Sequence, residues 1–330
     1  MIEPDPASTV LQVAGGYCLA RCLHVVTELG VADALDDGPR TAKELATSLR
    51  AHPEALSRVL RLLAAHGVFE CRGELIQHSA ASRLLRTDHP QSLRALALMF
   101  GLSINWAYYG ALEHTVRTGL PAAPEVFPGG FWAYFAEHPE ENSIFNAAMT
   151  AKAHGQVAAV MAAYDFSSFQ TIGDMGGGNG HLLRAVLDRA PNAKGVLFDL
   201  PQVVEQAAAL ASPRLELKAG DFFKDELPSC DAYLVMEVIH DWPDEESVAI
   251  LRAIRRAAPS HAKLLLIEQL IPDDLGPHWA KTLDIHMLTF FGGKQRTLGE
   301  YGDMMAQAGF SFGREIPTAA GVSIMEATAA

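Results

Sequence analysis

Four glycines crowd the heptapeptide Asp174-Met175-Gly176-Gly177-Gly178-Asn179-Gly180, between a strand-like run, Phe169 to Ile172, and a helical pattern that begins at His181. Bare backbone at the end of a strand lets a ligand lie directly against the main chain. A dinucleotide fingerprint would read GxGxxG; Gly176 and Gly178 fit, but His181 takes the third place. A GxxxxGK[ST] phosphate loop is also missing. The ligand expected here is therefore not a polyphosphate.

Strand-like and helix-like segments alternate from this point: Gln170 to Met175, His181 to Arg189, Gly195 to Leu200, Gln202 to Leu210 and Leu215 to Lys218. Strands Ala232 to Val238 and Lys263 to Leu270 then bracket a helix from Asp244 to Ala258. The pattern predicts an α/β fold with a parallel, doubly wound, Rossmann-like sheet, whose ligands bind at the carboxyl ends of the strands. Three acids fall at successive strand ends: Asp174, Asp199 and Asp221, the last beside Phe222. A carboxylate at the second strand end suits ribose hydroxyls, and an acid beside an aromatic at the third suits an adenine edge and face. Taken singly, such glycines make turns and such acids cap helices. As an ordered set they fit S-adenosylmethionine, a sulfonium nucleoside with no phosphate.

The N-terminal part reads differently. Val10 to Leu29 predicts one long buried helix stopped by Gly30, and Thr41-Ala-Lys-Glu44 predicts a capping box opening a second helix. Pro53 opens a third, with Leu56, Val59, Leu60 and Leu63 as its core stripe. Val68 to Cys71 and Leu75 to Gln77, joined by Arg72-Gly73-Glu74, read as a hairpin. Helix, turn, helix and hairpin make a winged-helix pattern, which alone would point to DNA. Residues 1–90, however, hold nine Lys or Arg against eleven Asp or Glu, and the whole chain carries −13, so a nucleic-acid polyanion is not the expected partner. The expected role is dimerisation, with the apolar first helix against a second copy.

Residues 91–165 form a helical connector rich in aromatic residues and methionine, leading into the catalytic part, 166–330. No apolar stretch approaches the ~20 residues that span a bilayer, and MIEPDPASTV lacks the basic start and apolar core of a secretory signal, so a cytoplasmic, non-membrane protein is expected. Cys18, Cys22, Cys71 and Cys230 form no CxxC pair, and no metal site is expected.

His240, in Val238-Ile239-His240-Asp241-Trp242-Pro243, emerges where the fourth strand ends, and Glu268 leaves the fifth at the same edge. If those strands are neighbours, the carboxylate can fix the imidazole's tautomer and stabilise its charged form, the usual arrangement for a general base. A phenol near pKa 10 is mostly neutral at pH 7, so methyl transfer to its oxygen needs such a base.

These residues bring the chain to a family. It resembles the S-adenosylmethionine-dependent small-molecule O-methyltransferases of the plant caffeate and bacterial polyketide and phenazine type, in DMGGGNG, FDLP (198–201), GDFF (220–223), HDW (240–242) and GGKQRT (292–297). The resemblance implies a homodimer through a winged-helix domain at 1–90, and a cofactor site of Asp174, Gly176, Gly178, Asp199, Leu200, Asp221, Phe222, Glu237 and Trp242. It implies His240 as base, with Glu268 and Gln295 beside it. It places Phe145, Met149, His286, Met287, Phe290 and Phe291 as candidates to cover a small hydroxylated aromatic substrate. Two departures stand out: Glu237 replaces a lysine of many plant members, and Gln295 replaces a second glutamate, so Glu268 is expected to stabilise the charged base alone. Same-fold alternatives are an N-methyltransferase or an atypical decarboxylase or hydroxylase of aromatic polyketides; a ligand-responsive DNA-binding protein is the third reading.

Overall fold

The computed structural model describes residues 5–36 and 38–330. Their backbone groups into two compact units, one holding the described residues up to Ala107 with Phe135–Lys152, the other Tyr108–Tyr134 with Ala153–Ala330.

In the first unit, strands β1 (Arg40–Thr41), β2 (Phe69–Arg72) and β3 (Leu75–His78) pair antiparallel in the order β1-β3-β2. The Thr41 hydroxyl accepts from the Glu44 amide while the Glu44 carboxylate accepts from the Thr41 amide, so the expected capping box opens helix Ala42–Leu49. Helix Pro53–Ala65 turns Leu56, Leu60 and Leu63 inward, where they meet Leu45, Val26, Phe69 and Ile76. Leu45, Leu60 and Leu63 are wholly buried, and each such side chain contributes ~1.5–3 kcal/mol.

The long buried helix expected from Val10 is two helices, Pro6–Ala14 and Gly16–Glu28, bent by 43°. The Gly15-Gly16 pair explains the break, since glycine is the weakest ordinary helix former. Burial is also a correction: no residue of Pro6–Ala14 is buried, and Val10, Leu11, Val13 and Tyr17 are each at least two-thirds exposed. Among the described residues no single helix is long and apolar enough to cross a membrane, although this bent pair passes that test taken together.

The second unit is built on a seven-stranded sheet. Five parallel strands, β4 (Thr171–Met175), β5 (Lys194–Asp199), β6 (Leu215–Ala219), β7 (Ala232–Met236) and β8 (Lys263–Glu268), lie in the order β6-β5-β4-β7-β8. Successive side chains feed two cores on opposite faces: Tyr233, Val235, Leu264 and Leu266 on one, Leu234, Leu265 and Ile267 on the other.

The sheet is mixed, not purely parallel. β9 (Phe310–Pro317) and β10 (Ser323–Ala329) form a hairpin that adds antiparallel, with β10 against β8. The five residues between them are too few for the crossover a parallel return needs, and Gly321 at φ 78° makes the turn. β8 is thereby covered on both edges, which leaves Glu268 at its carboxyl end with no exposure.

Candidate active site

The order β6-β5-β4-β7-β8 brings five strand ends to one edge of the sheet. After β4 the glycine loop turns into helix His181–Arg189. Gly178 has φ +55°, and open space lies where a Cβ would stand, so the backbone is bare on that side. Its amide donates to Asp199 Oδ2 at 2.8 Å, and the Leu200 amide donates to Oδ1 at 2.7 Å. Each carboxylate oxygen keeps a second lone pair that can accept from a ligand hydroxyl. Asp221 accepts from the Phe223 amide at 2.9 Å and pairs with Lys224 at 2.8 Å, while the Phe222 ring stands 5.6 Å from that of Phe198. Trp242 meets Phe223 edge to face at 5.0 Å.

Asp174 is buried under this loop. Burial, with the charge of Asp199 added, pushes its carboxyl up to about 7. With Asp174 held near neutral, Asp199 and Asp221 supply the negative charge of this edge, which favours a cation over a polyanion. S-adenosylmethionine fits it: sulfonium charge, ribose hydroxyls, no phosphate. Glu237 stands at φ 51°, a strained conformation for a non-glycine residue that costs ~1–3 kcal/mol. Its amide donates to the Ile267 carbonyl, and its carboxylate accepts from Gln269 Nε2 at 3.0 Å.

The strands carrying His240 and Glu268 are neighbours, paired from Ala232↔Lys263 to Met236↔Ile267. A short 3-10 turn, Ile239–Asp241, follows β7 and buries His240. Glu268 serves both backbone and ring: Oε1 accepts from the Ile239 and His240 amides at 2.9 and 3.3 Å, and Oε2 lies 2.9 Å from His240 Nδ1. Burial alone would lower the imidazole's pKa, but the Glu268, Asp241 and Glu237 carboxylates outweigh it and hold it up to about 9.

Gln295 completes the site, its Nε2 2.9 Å from the same Nδ1. With the ring proton on Nδ1, the amide must instead turn Oε1 toward the ring, because two donors cannot share that contact. The loop that carries Gln295 fits closely on the base. A Cβ on Gly293 would stand 2.2 Å from the His240 carbonyl, which accepts from the Lys294 amide at 2.9 Å.

Two residues of this unit carried no role in the sequence reading. Arg296 is wholly buried and binds Asp244 at 2.7 Å and the Ile239 and Trp242 carbonyls at 3.3 and 2.9 Å, stapling both ends of the His240 turn. Its only signal was membership of GGKQRT. Tyr109, whose hydroxyl lies 2.6 Å from His286 Nδ1, had no sequence signal.

Of the expected substrate residues, His286, Met287 and Phe290 are buried on helix Trp279–Phe290, and Phe291 follows it. Phe290 and Phe291 lie 5.7 and 4.9 Å from Phe131 between ring centroids. Phe145 and Met149 belong to the first unit, where Phe145 stacks on Phe135 at 4.9 Å. Among the described residues no group of three His, Cys, Asp or Glu side chains is arranged to hold a metal ion.

With this geometry in place, the comparisons decide the family. An O-methyltransferase domain model matches residues 109–311, and an O-methyltransferase dimerisation domain model matches 11–88. The chain belongs to this O-methyltransferase family. It is 39% identical to the phenazine O-methyltransferase PhzM of Lysobacter antibioticus, over 97% of this chain and 96% of that one. It is 36% identical to the 8-amino-8-demethylriboflavin N,N-dimethyltransferase of Streptomyces davaonensis, over 93% and 91%. Among solved structures it resembles CalO1, a methyltransferase in calicheamicin biosynthesis in its S-adenosylhomocysteine-bound form, at TM-score 0.89 and 32% identity, covering 99% of this chain and all of that one. The protein is an S-adenosylmethionine-dependent O-methyltransferase with an N-terminal dimerisation domain.

Proposed function

We propose that the enzyme methylates a hydroxyl of a small aromatic or polyketide metabolite, with His240 as general base. The observation that carries this reading is the 2.9 Å contact of Glu268 Oε2 with His240 Nδ1 at the strand edge beside the glycine loop. S-adenosylmethionine supplies an electrophilic methyl group on its sulfonium. Asp199 holds the ribose, Asp221 and Phe222 the adenine, with Leu200 and Trp242 beside them. Asp174, Gly176, Gly178 and Glu237 line the amino-acid end.

On the acceptor side, Glu268 holds the proton on Nδ1 and so leaves Nε2 as the atom that takes the hydroxyl proton. As that proton arrives, the anion of Glu268 stabilises the imidazolium. Gln295 can orient the ring but adds no charge. His286, Met287, Phe290, Phe291, Phe145 and Met149 are the residues proposed to cover the acceptor. Two copies assemble through residues 1–90, where Val10, Leu11, Val13 and Tyr17 offer an apolar face.

The riboflavin relative makes N-methylation the rival reading, and the buried His240–Glu268 pair favours oxygen, since an amine attacks through its own lone pair. A mass-spectrometric screen of the purified protein with S-adenosylmethionine, against catechols, flavonoids, phenazines and hydroxylated polyketides with their amino analogues, separates the two. Methyl on oxygen is expected. Methyl only on nitrogen, or loss of carboxyl, would overturn the assignment.

A further inference from the structure

The buried groups that the proton transfer leaves unused converge on one pair. Tyr109 Oη lies 2.6 Å from His286 Nδ1 inside a shell of rings. Phe290 is 5.4 Å from His286 and 5.8 Å from Tyr109, Trp279 is 6.2 Å from His286, and Tyr108 and Phe131 close on Phe290 at 5.2 and 5.7 Å. All belong to the second unit.

The pair is also tied to the base through a short path. Asp284, two residues before His286, accepts from the Gln295 amide at 2.8 Å, and Gln295 touches His240. On the other side, the Met287 carbonyl accepts from the Gly293 amide at 3.2 Å, in the loop whose Lys294 amide binds the His240 carbonyl. These bonds tie the helix that carries His286 to the loop that holds His240.

Burial drives the His286 imidazole down to about 4 and the Tyr109 phenol well above its usual range, so both are neutral at physiological pH. A neutral hydroxyl–imidazole pair among ring faces offers no charge to a carboxylate or an ammonium. What it matches is a flat molecule with a neutral oxygen in its plane. A carbonyl oxygen in that plane is an acceptor for a hydrogen that the pair otherwise shares within itself.

We propose that Tyr109 and His286 form the recognition element for the methyl acceptor, selecting planar aromatic acceptors that carry a neutral carbonyl oxygen in addition to the reacting hydroxyl. This rests on the reading of His240 as the base beside the acceptor, but its test does not require turnover.

The measurement is the dissociation constant of two matched probes, 7-hydroxychromone and its deoxo counterpart 7-hydroxychroman, on the S-adenosylhomocysteine-loaded dimer. Tyr109→Phe and His286→Leu are each expected to weaken the carbonyl probe about tenfold, the worth of one buried hydrogen bond, and the deoxo probe less than about threefold. The double variant is expected to lose no more than either single one, and His286→Gln to retain most of the affinity. Equal weakening of both probes, unchanged binding, or binding of neither probe by the unaltered protein would overturn the proposal. If His240→Ala instead turns over normally while the probe discrimination holds, the base assignment fails and the recognition pair stands.

Discussion

Two buried imidazoles of one unit show opposite chemistry. His240 is 5% exposed and His286 is 7% exposed, so burial does not distinguish them. Their neighbours do. Glu268, Asp241 and Glu237 surround His240 and hold it up to about 9, whereas His286 sits among Tyr109, Phe290 and Trp279 and falls to about 4. At neutral pH the first readily carries a proton and the second does not. A buried histidine becomes an acid–base group or a neutral hydrogen-bonding group according to the charge placed against it.

The largest effect should come from removing the first imidazole. His240→Ala is expected to cut turnover several hundred-fold, with cofactor affinity by calorimetry nearly unchanged, whereas His286→Leu should leave kcat within about tenfold. Comparable losses of kcat in both variants would erase the distinction. Glu268→Gln keeps the shape of the pair and removes its charge, so a loss of about 10–100-fold in kcat is expected, and wild-type turnover would show that the anion is dispensable. Glu268→Ala is a poorer probe, because stripping a partner from a buried charged pair costs ~3–5 kcal/mol of stability.

Asp199→Ala serves as a control on the cofactor side. It is expected to weaken S-adenosylmethionine about tenfold by calorimetry while leaving the pH dependence of turnover at saturating cofactor unmoved. Unchanged affinity would remove Asp199 from the ribose. The smallest effect concerns His286: with its imidazole neutral above about 4, acceptor binding should be flat between pH 5.5 and pH 8. A transition near the ordinary imidazole value, lost in His286→Leu, would show that the ring does take up a proton.

Much of this site was legible in the sequence because strand ends are set by chain order. Once the alternation of strands and helices is recognised, Asp174, Asp199, Asp221, His240 and Glu268 must leave the sheet at one edge. Whether β7 and β8 were neighbours was left open by the sequence and is settled by their pairing. The antiparallel hairpin at the end does not follow from the sequence pattern, since the side chains of a strand such as Ser323–Ala329, which lies inside the sheet between β8 and β9, do not encode its direction. The break at Gly15-Gly16 is masked in the sequence by apolar composition on both sides. Tyr109 could not be found at all: its meeting with His286 joins residues 177 apart across helices, and no local spacing encodes that. Arg296 was quoted within its motif, but its role depends on carbonyls of a turn more than fifty residues earlier.

The central claim is that His240 is the base that takes the acceptor's proton, and that Glu268 orients its neutral form and stabilises the imidazolium that results. Its most direct test is the pH profile of kcat/KM for the acceptor at saturating S-adenosylmethionine, in the unaltered enzyme, in Glu268→Gln and in Gln295→Glu. A raised pKa places the neutral, proton-accepting form at higher pH, so activity should climb with pH toward a limb between the ordinary imidazole value and about 9, the incoming sulfonium pulling it below the upper figure. Removing a carboxylate in Glu268→Gln should move that limb to lower pH, and adding one at Gln295, 2.9 Å from Nδ1, should move it higher. Three profiles with the same limb would contradict the account, because the titrating group would then be one that neither side chain touches.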